Sequence, residues 1–333
     1  MCHLDKEKRN GAGKPFLRVV AASMLLLLFA TSVSRGEPLL LHGEFSIHDP
    51  STIVKCKDEY WVFGTGRGLL SRHSKDLKTW EAGPHVFPTI PEWTTNTITK
   101  NRGVFWAPDV ILHSNEYYLY YAVSSWGLKT SAIGLATTPT LDPADPRFHW
   151  TDRGVVVQTG DRQNYNAIDP AVTRDAEGKL WLVFGSYWSG IKLVQLDSAT
   201  GKLASTNAPV YLLAYHGTIE AAYLCHHENY YYLFVNWDHC CAGTNSTYNI
   251  RVGRSEIITG PYLDRAGVDM LQDGGSLFLG REGRFIGPGH AGIISVGADE
   301  WFSYHFYDGE DNGKAKLGIR RLRWENDGWP RLE

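Results

Sequence analysis

Beyond residue 30 the sequence has no apolar run long enough to span a bilayer, and neither sign of charge dominates. Lysine and arginine number 33 against 36 aspartate and glutamate. Nothing here favours a polyanion, so neither a nucleic acid nor a membrane is expected as a partner. Methionine is scarce, at 3 residues, and the 5 cysteines lack the paired CxxC or HxxxH spacing of a zinc site. Helical periodicity is almost absent outside the N-terminal segment, which argues against a helical bundle.

That N-terminal segment reads as an export signal. Lys6, Lys8, Arg9, Lys14 and Arg18 precede the apolar run VVAASMLLLLFA at 19–30, and small residues follow in TSVSRG. Basic, apolar and small-residue regions in that order predict a secretory signal peptide over 1–36 and a mature domain over 37–333, secreted to the periplasm or the exterior. The run is too short to anchor the chain comfortably in a bilayer. Removing the signal takes Cys2 with it and leaves Cys56, Cys225, Cys240 and Cys241. Export permits disulfides, and the three possible pairings, or free thiols, all stay open.

Aromatics and glycine are abundant: 12 Trp, 17 Tyr, 13 Phe and 34 Gly point to strands, tight turns and flat apolar surface suited to sugar rings. One unit recurs five times, as HDPSTIVKCKDEYWVFGTG, APDVILHSNEYYLYYAVSS, IDPAVTRDAEGKLWLVFGSY, IEAAYLCHHENYYYLFVNW and GHAGIISVGADEWFSYHFY. Each couples a polar residue to a short strand, a turn and an aromatic strand, which is at least a hairpin. With further short strands between copies, the spacing predicts an all-β, five-bladed β-propeller. A two-sheet sandwich would not explain a fivefold repeat.

The polar residue is Asp49, Asp109, Asp169, Glu220 and His290 in turn. In a propeller the innermost strands line the central channel, so these five positions are expected to converge at one mouth of it. Crowded carboxylates raise or split one another's pKa, an arrangement unfavourable unless it is used. Glycoside hydrolysis uses it: a neutral acid protonates the leaving oxygen, and a carboxylate on the other face acts as base or nucleophile.

These stretches resemble glycoside hydrolase family 43, most closely its arabinanase branch, over essentially the whole mature chain. HDPS, AIDPA and GTIEAAY carry the resemblance at the acids, and WAPDV, SSWG, GSYWSGI, STYNIRVGRS and GPGHAG add to it. The resemblance implies that Asp49 is the general base, Glu220 the general acid and Asp169 the residue that orients Glu220 and raises its pKa, in an inverting reaction. It implies α-1,5-linked arabinan or its oligosaccharides as substrate and a chain acting as a monomer. Trp106, Asp109, Trp126, Asn166 and Ser186 are expected at the sugar subsites. His290 is expected beside a cation, calcium or another, on the propeller axis, bound mostly through water. Ala291 and the Cys240–Cys241 pair depart from the commonest pattern near the cleft. The alternatives are an exo-acting α-L-arabinofuranosidase or β-xylosidase of the same family, and a sugar-binding propeller without catalysis. The retaining fructan and sucrose enzymes fit poorly, because Ala176 follows TRD and Ala221 follows Glu220. SKDLKTW lacks the glycine of a sialidase Asp-box and reads as a hairpin turn.

Overall fold

The computed structural model describes residues 36–98 and 101–333; the proposed signal peptide, apart from Gly36, lies outside the described residues. Its strands form five sheets in chain order, the five blades of a β-propeller. Each repeated unit supplies the two inner strands of one blade. They are Val54–Cys56 with Glu59–Gly64, Val104–His113 with Glu116–Val123, Ala171–Arg174 with Leu180–Phe184, Glu220–His227 with Tyr230–Trp237, and Phe285–Val296 with Asp299–Asp308. The hairpin turns use residues that tolerate positive φ, among them Ser114 and Asn115 at 49° and 64° and Gly178 at 83°. SKDLKTW is a hairpin turn as expected, with Asp76 accepting the N–H groups of Lys78 and Thr79.

Alternation within a strand feeds both faces of a blade. In Glu116–Val123 the residues Tyr117, Leu119, Tyr121 and Val123 join an apolar cluster shared with blade 1. Tyr118 and Tyr120 join one shared with blade 3. A blade covered on both faces explains why this strand is apolar almost throughout. The ring closes through the segment before blade 1. Leu39 donates its N–H to Ile319 O and Phe45 O accepts that of Leu317, while His42–Gly43 pairs with Thr79 and Trp80. Ile47, Val62, Trp80, Leu317 and Ile319 pack around this junction.

Every blade carries one kink in or just before its innermost strand. Asp49, Ala107, Asp169, Ala221 and His290 all have left-handed φ, between 39° and 55°, and each is followed by proline or alanine. Such a residue costs of order 1–3 kcal/mol and turns its amide out of the sheet ladder. Side chains accept four of these amides: His305 Nδ1 takes that of Asp49, Thr65 Oγ1 that of Ala107, Asp169 Oδ2 that of Ala221 and Asn236 Oδ1 that of His290.

The kink also corrects the repeat register. Asp49, Asp169 and His290 are equivalent, but Glu220 comes one residue before the kink of blade 4 and Asp109 two residues after that of blade 2. Asp109 therefore does not reach the channel mouth with the other acids, contrary to expectation. Its buried carboxylate accepts the N–H of Thr52 through Oδ1 and of Val172 through Oδ2, both at 2.8 Å. It ties the inner strands of blades 1, 2 and 3 together. Burial pushes its pKa up to about 6, the amide hydrogen bonds offsetting part of that rise.

Asp109→Ala should leave two buried amides without their acceptor and cost about 2–4 kcal/mol of stability. Thermal unfolding together with substrate KM checks this assignment. A lower Tm with KM within about twofold is expected, whereas a raised KM at unchanged Tm would return Asp109 to the subsites.

Candidate active site

Asp49 is buried at the channel mouth among imidazoles. His48 Nδ1 lies 2.7 Å and His290 Nε2 3.1 Å from its Oδ1, while Thr65 donates to Oδ2 at 2.5 Å. His305, with no exposed surface, stacks on His48 at 4.4 Å between ring centroids. Burial alone would raise the Asp49 pKa, but the interactions with the neighbouring imidazoles, His48 first and then His290 and His305, and the His48 hydrogen bond outweigh it. The carboxyl is held well below its usual range. Asp49 is thus ionised at neutral pH.

Glu220 and Asp169 are driven the other way. Glu220 is half-buried, and its Oε2 accepts the Ser186 hydroxyl at 2.8 Å. Burial raises its pKa, the Ser186 and Tyr248 hydrogen bonds pull it down, and the charge of Asp49 raises it again, leaving it above the usual value. Asp169 is buried and accepts the Ala221 amide at 3.2 Å. Burial first, then the charges of Glu220 and Asp49, push it well above the carboxylate range. The three carboxyls of one cleft therefore divide into a charged one and a pair that retains a proton. Proton donation and water activation require such a division.

The cleft has a volume of about 1060 Å³, and Asp49, Asp169, Glu220 and His290 all line it. So do Trp106, Trp126, Asn166 and Ser186, placed as expected at its wall; Asp109 is not part of the lining. Trp106 and Trp126 meet at 5.4 Å between ring centroids, and Trp126 is 76% exposed, an apolar plane open to a ligand. Asn166 is buried and held by the Ser131 hydroxyl at 2.6 Å.

Several lining or supporting residues were not singled out in the sequence. Trp188 is 49% exposed in the cleft, Tyr248 hydrogen-bonds Glu220, Thr65 and His305 hold Asp49, and Tyr307 reaches His48. Trp188 and Tyr248 sit inside the stretches GSYWSGI and STYNIRVGRS, and His305 and Tyr307 inside the fifth copy of the repeat, at positions where no residue type is common to all five copies. Of the open cysteine pairings, the structure has Cys240 bonded to Cys241, with Cys56 and Cys225 as free thiols.

Comparison with known proteins agrees with this chemistry. Residues 43–330 match the sequence profile of glycosyl hydrolases family 43. An extracellular endo-α-(1→5)-L-arabinanase of Bacillus subtilis is 39% identical over 332 residues, 97% of this chain and 99% of the relative. An extracellular exo-α-(1→5)-L-arabinofuranosidase of Cellvibrio japonicus is 37% identical over 303 residues, 87% of each chain. Among solved structures, the α-L-arabinanase of Cellvibrio cellulosa complexed with arabinohexaose superposes with a TM-score of 0.82 at 36% identity, covering 86% of this chain and 95% of its own. With its profile match over nearly the whole mature chain, and with the acids of a glycosidase at the mouth of its channel, this chain belongs to glycoside hydrolase family 43.

Proposed function

We propose that the enzyme cleaves α-1,5-L-arabinofuranosidic bonds within arabinan, with inversion at the anomeric carbon. The observation that carries this reading is the division of charge among the acids, Asp49 ionised and the Asp169–Glu220 pair protonated, at the floor of one cleft. Asp49 takes a proton from the attacking water, and Glu220 delivers one to the departing sugar oxygen. Asp169 and Glu220 share a proton, since the charge of Glu220 together with burial holds one on Asp169, and Asp169 is fixed in place by the Ala221 amide. A cleft of about 1060 Å³ exceeds the about 300–1,000 Å³ that encloses one drug-sized ligand, which leaves room for several furanose units. Trp106, Trp126 and Trp188 offer them apolar faces.

Exo action is the second reading, favoured by the relative of that activity at 37% identity. Export follows from the N-terminal segment and from the relatives named extracellular, and we assign the chain to the periplasm or the exterior as a monomer.

A cation, calcium or another, is proposed beside His290. Burial lowers the pKa of this imidazole more than Asp49 raises it, so it is neutral and able to ligate. Its Nε2 lies 3.1 Å from Asp49 Oδ1, and calcium prefers six to eight oxygens, so water must complete the set. Bound there, the ion would add positive charge beside the acids. Calcium added to chelator-treated protein should raise Tm, and no shift with any divalent cation would remove the site.

Incubation with linear 1,5-arabinan should release a ladder of oligomers whose first-formed reducing ends have the anomeric configuration opposite to the substrate by NMR. Monomer alone would mean exo action, and retention would overturn the role of Asp49.

Glu220→Gln should lower kcat by about 10²–10⁴-fold with native circular dichroism. The working form of Glu220 is protonated, so activity is lost as pH rises through its raised pKa. Asp169→Asn removes the partner carboxyl with which Glu220 shares the last proton of the pair, and with it the like-charge repulsion that delays that proton's release, so the basic limb of the kcat/KM profile should move to lower pH. A limb that stays in place or moves upward would contradict the pairing.

A further inference from the structure

One chain of hydrogen bonds runs from the cleft wall to the base. The N–H of Cys241 donates to the Tyr307 hydroxyl at 2.7 Å. That hydroxyl lies 2.7 Å from His48 Nε2, and His48 Nδ1 lies 2.7 Å from Asp49 Oδ1. A peptide N–H can only donate, so it occupies a lone pair of the tyrosine oxygen and fixes that oxygen against His48 Nε2. With Nε2 held there, Nδ1 faces Asp49. Burial lowers the His48 pKa, but the charge of Asp49 and the hydrogen bond to it leave it raised, which keeps the Nδ1 proton on the ring. One amide thus anchors the whole chain. Tyr307 is buried, and burial pushes its pKa up, so the phenol keeps its proton.

The amide that anchors the chain is itself constrained. Cys240 and Cys241 are bonded to each other with Cα atoms 3.8 Å apart, which closes a small ring containing the trans peptide between them. Cys241 adopts φ 61°, a left-handed conformation that a non-glycine residue in an open loop rarely keeps. Its Sγ lies 3.9 Å from His48 Nε2, so the disulfide also packs against the imidazole edge. Both cysteines line the cleft.

We propose that the Cys240–Cys241 ring and Tyr307 form a positioning relay for Asp49, holding the His48 ring in the orientation in which Nδ1 donates to the base. Asp49 then receives a fixed donor on Oδ1 while Thr65 occupies Oδ2, and the carboxylate plane cannot rotate away from the attacking water. The inference rests on Asp49 being the base. It assigns a mechanistic part to a cysteine pair that would otherwise be an oddity of the cleft wall. Tyr307 and the disulfide are positioning groups: they act through His48.

Three variants test the relay: Tyr307→Phe, Cys240→Ser with Cys241→Ser, and the combination of all three substitutions. Tyr307→Phe should lower kcat on linear arabinan about tenfold with KM within about twofold. In ¹⁵N-labelled protein it should also abolish or shift the downfield Nδ1–H resonance of His48. The cysteine variant should lower kcat in the same way, and the combination should be no worse than Tyr307→Phe, because the groups act in series. Unchanged kcat and an unchanged resonance in Tyr307→Phe would overturn the relay, as would losses that multiply in the combination. If Tyr307→Phe does not fold, the cysteine variant is read by the same resonance and the same kcat–KM split, and no change in either overturns the relay. Should the unaltered enzyme release nothing from arabinan, the proposed function fails, while the resonance still decides the relay.

Discussion

A left-handed residue in or just before a strand must find an acceptor for the amide it turns out of the sheet, because a buried N–H left unbonded costs about 1–3 kcal/mol. This propeller faces that demand five times around one channel and meets four of them with side chains. Four of the acceptors are the side chains of Thr65, Asp169, Asn236 and His305, so the channel mouth is polar for reasons of folding before any substrate arrives. Catalysis draws on the same groups. Thr65 accepts an amide and donates its hydroxyl to Asp49, and Asp169 accepts an amide while the charge of its neighbour Glu220 helps raise its pKa. The strain of the kinks and the reactivity of the acids are two consequences of one backbone constraint.

Environment divides the acids more than identity does. Asp49 and Asp169 occupy equivalent kinks in blades 1 and 3, both buried, yet their pKa values move in opposite directions. Asp49 faces His48, His290 and His305, contributed by the segment entering blade 1 and by blade 5. Asp169 faces Glu220 and has no such partner among the described residues. A water between them would meet a strong acceptor on one side and a proton donor on the other. The exposed Trp126 and Trp188 line the same cleft as the acids, which suits a chain of sugars lying there.

The architecture was legible because hairpins leave local marks. Turn residues such as Ser114–Asn115 and Gly178 punctuate aromatic strands five times, and HDP and IDP announce two of the kinks directly. What could not be read was register at the bulges. Asp109 and Glu220 both carry a carboxylate near a kink, but an irregularity between Trp106 and Asp109, and another between Glu220 and Tyr223, displaces them in opposite directions. A repeat alignment counts residues and cannot see a bulge. Tyr248, His305 and Tyr307 were invisible for another reason: they come from the entry to the third strand of blade 4 and from the second strand of blade 5. Only tertiary folding brings them to the channel mouth. The cysteine pairing was open because every combination satisfies sequence alone, whereas blades 1 and 4 hold Cys56 and Cys225 as separate thiols.

The central claim is that the fold itself, without substrate, sets Asp49 ionised and leaves a proton on the Asp169–Glu220 pair. Carboxyl ¹³C NMR titration of the free enzyme, assigned with single Asp→Asn and Glu→Gln variants, reads this directly. The account predicts that Asp49 stays ionised to well below the ordinary aspartate pKa of about 4, and that the pair releases its last proton well above it. Three carboxyls titrating together near about 4 would contradict it.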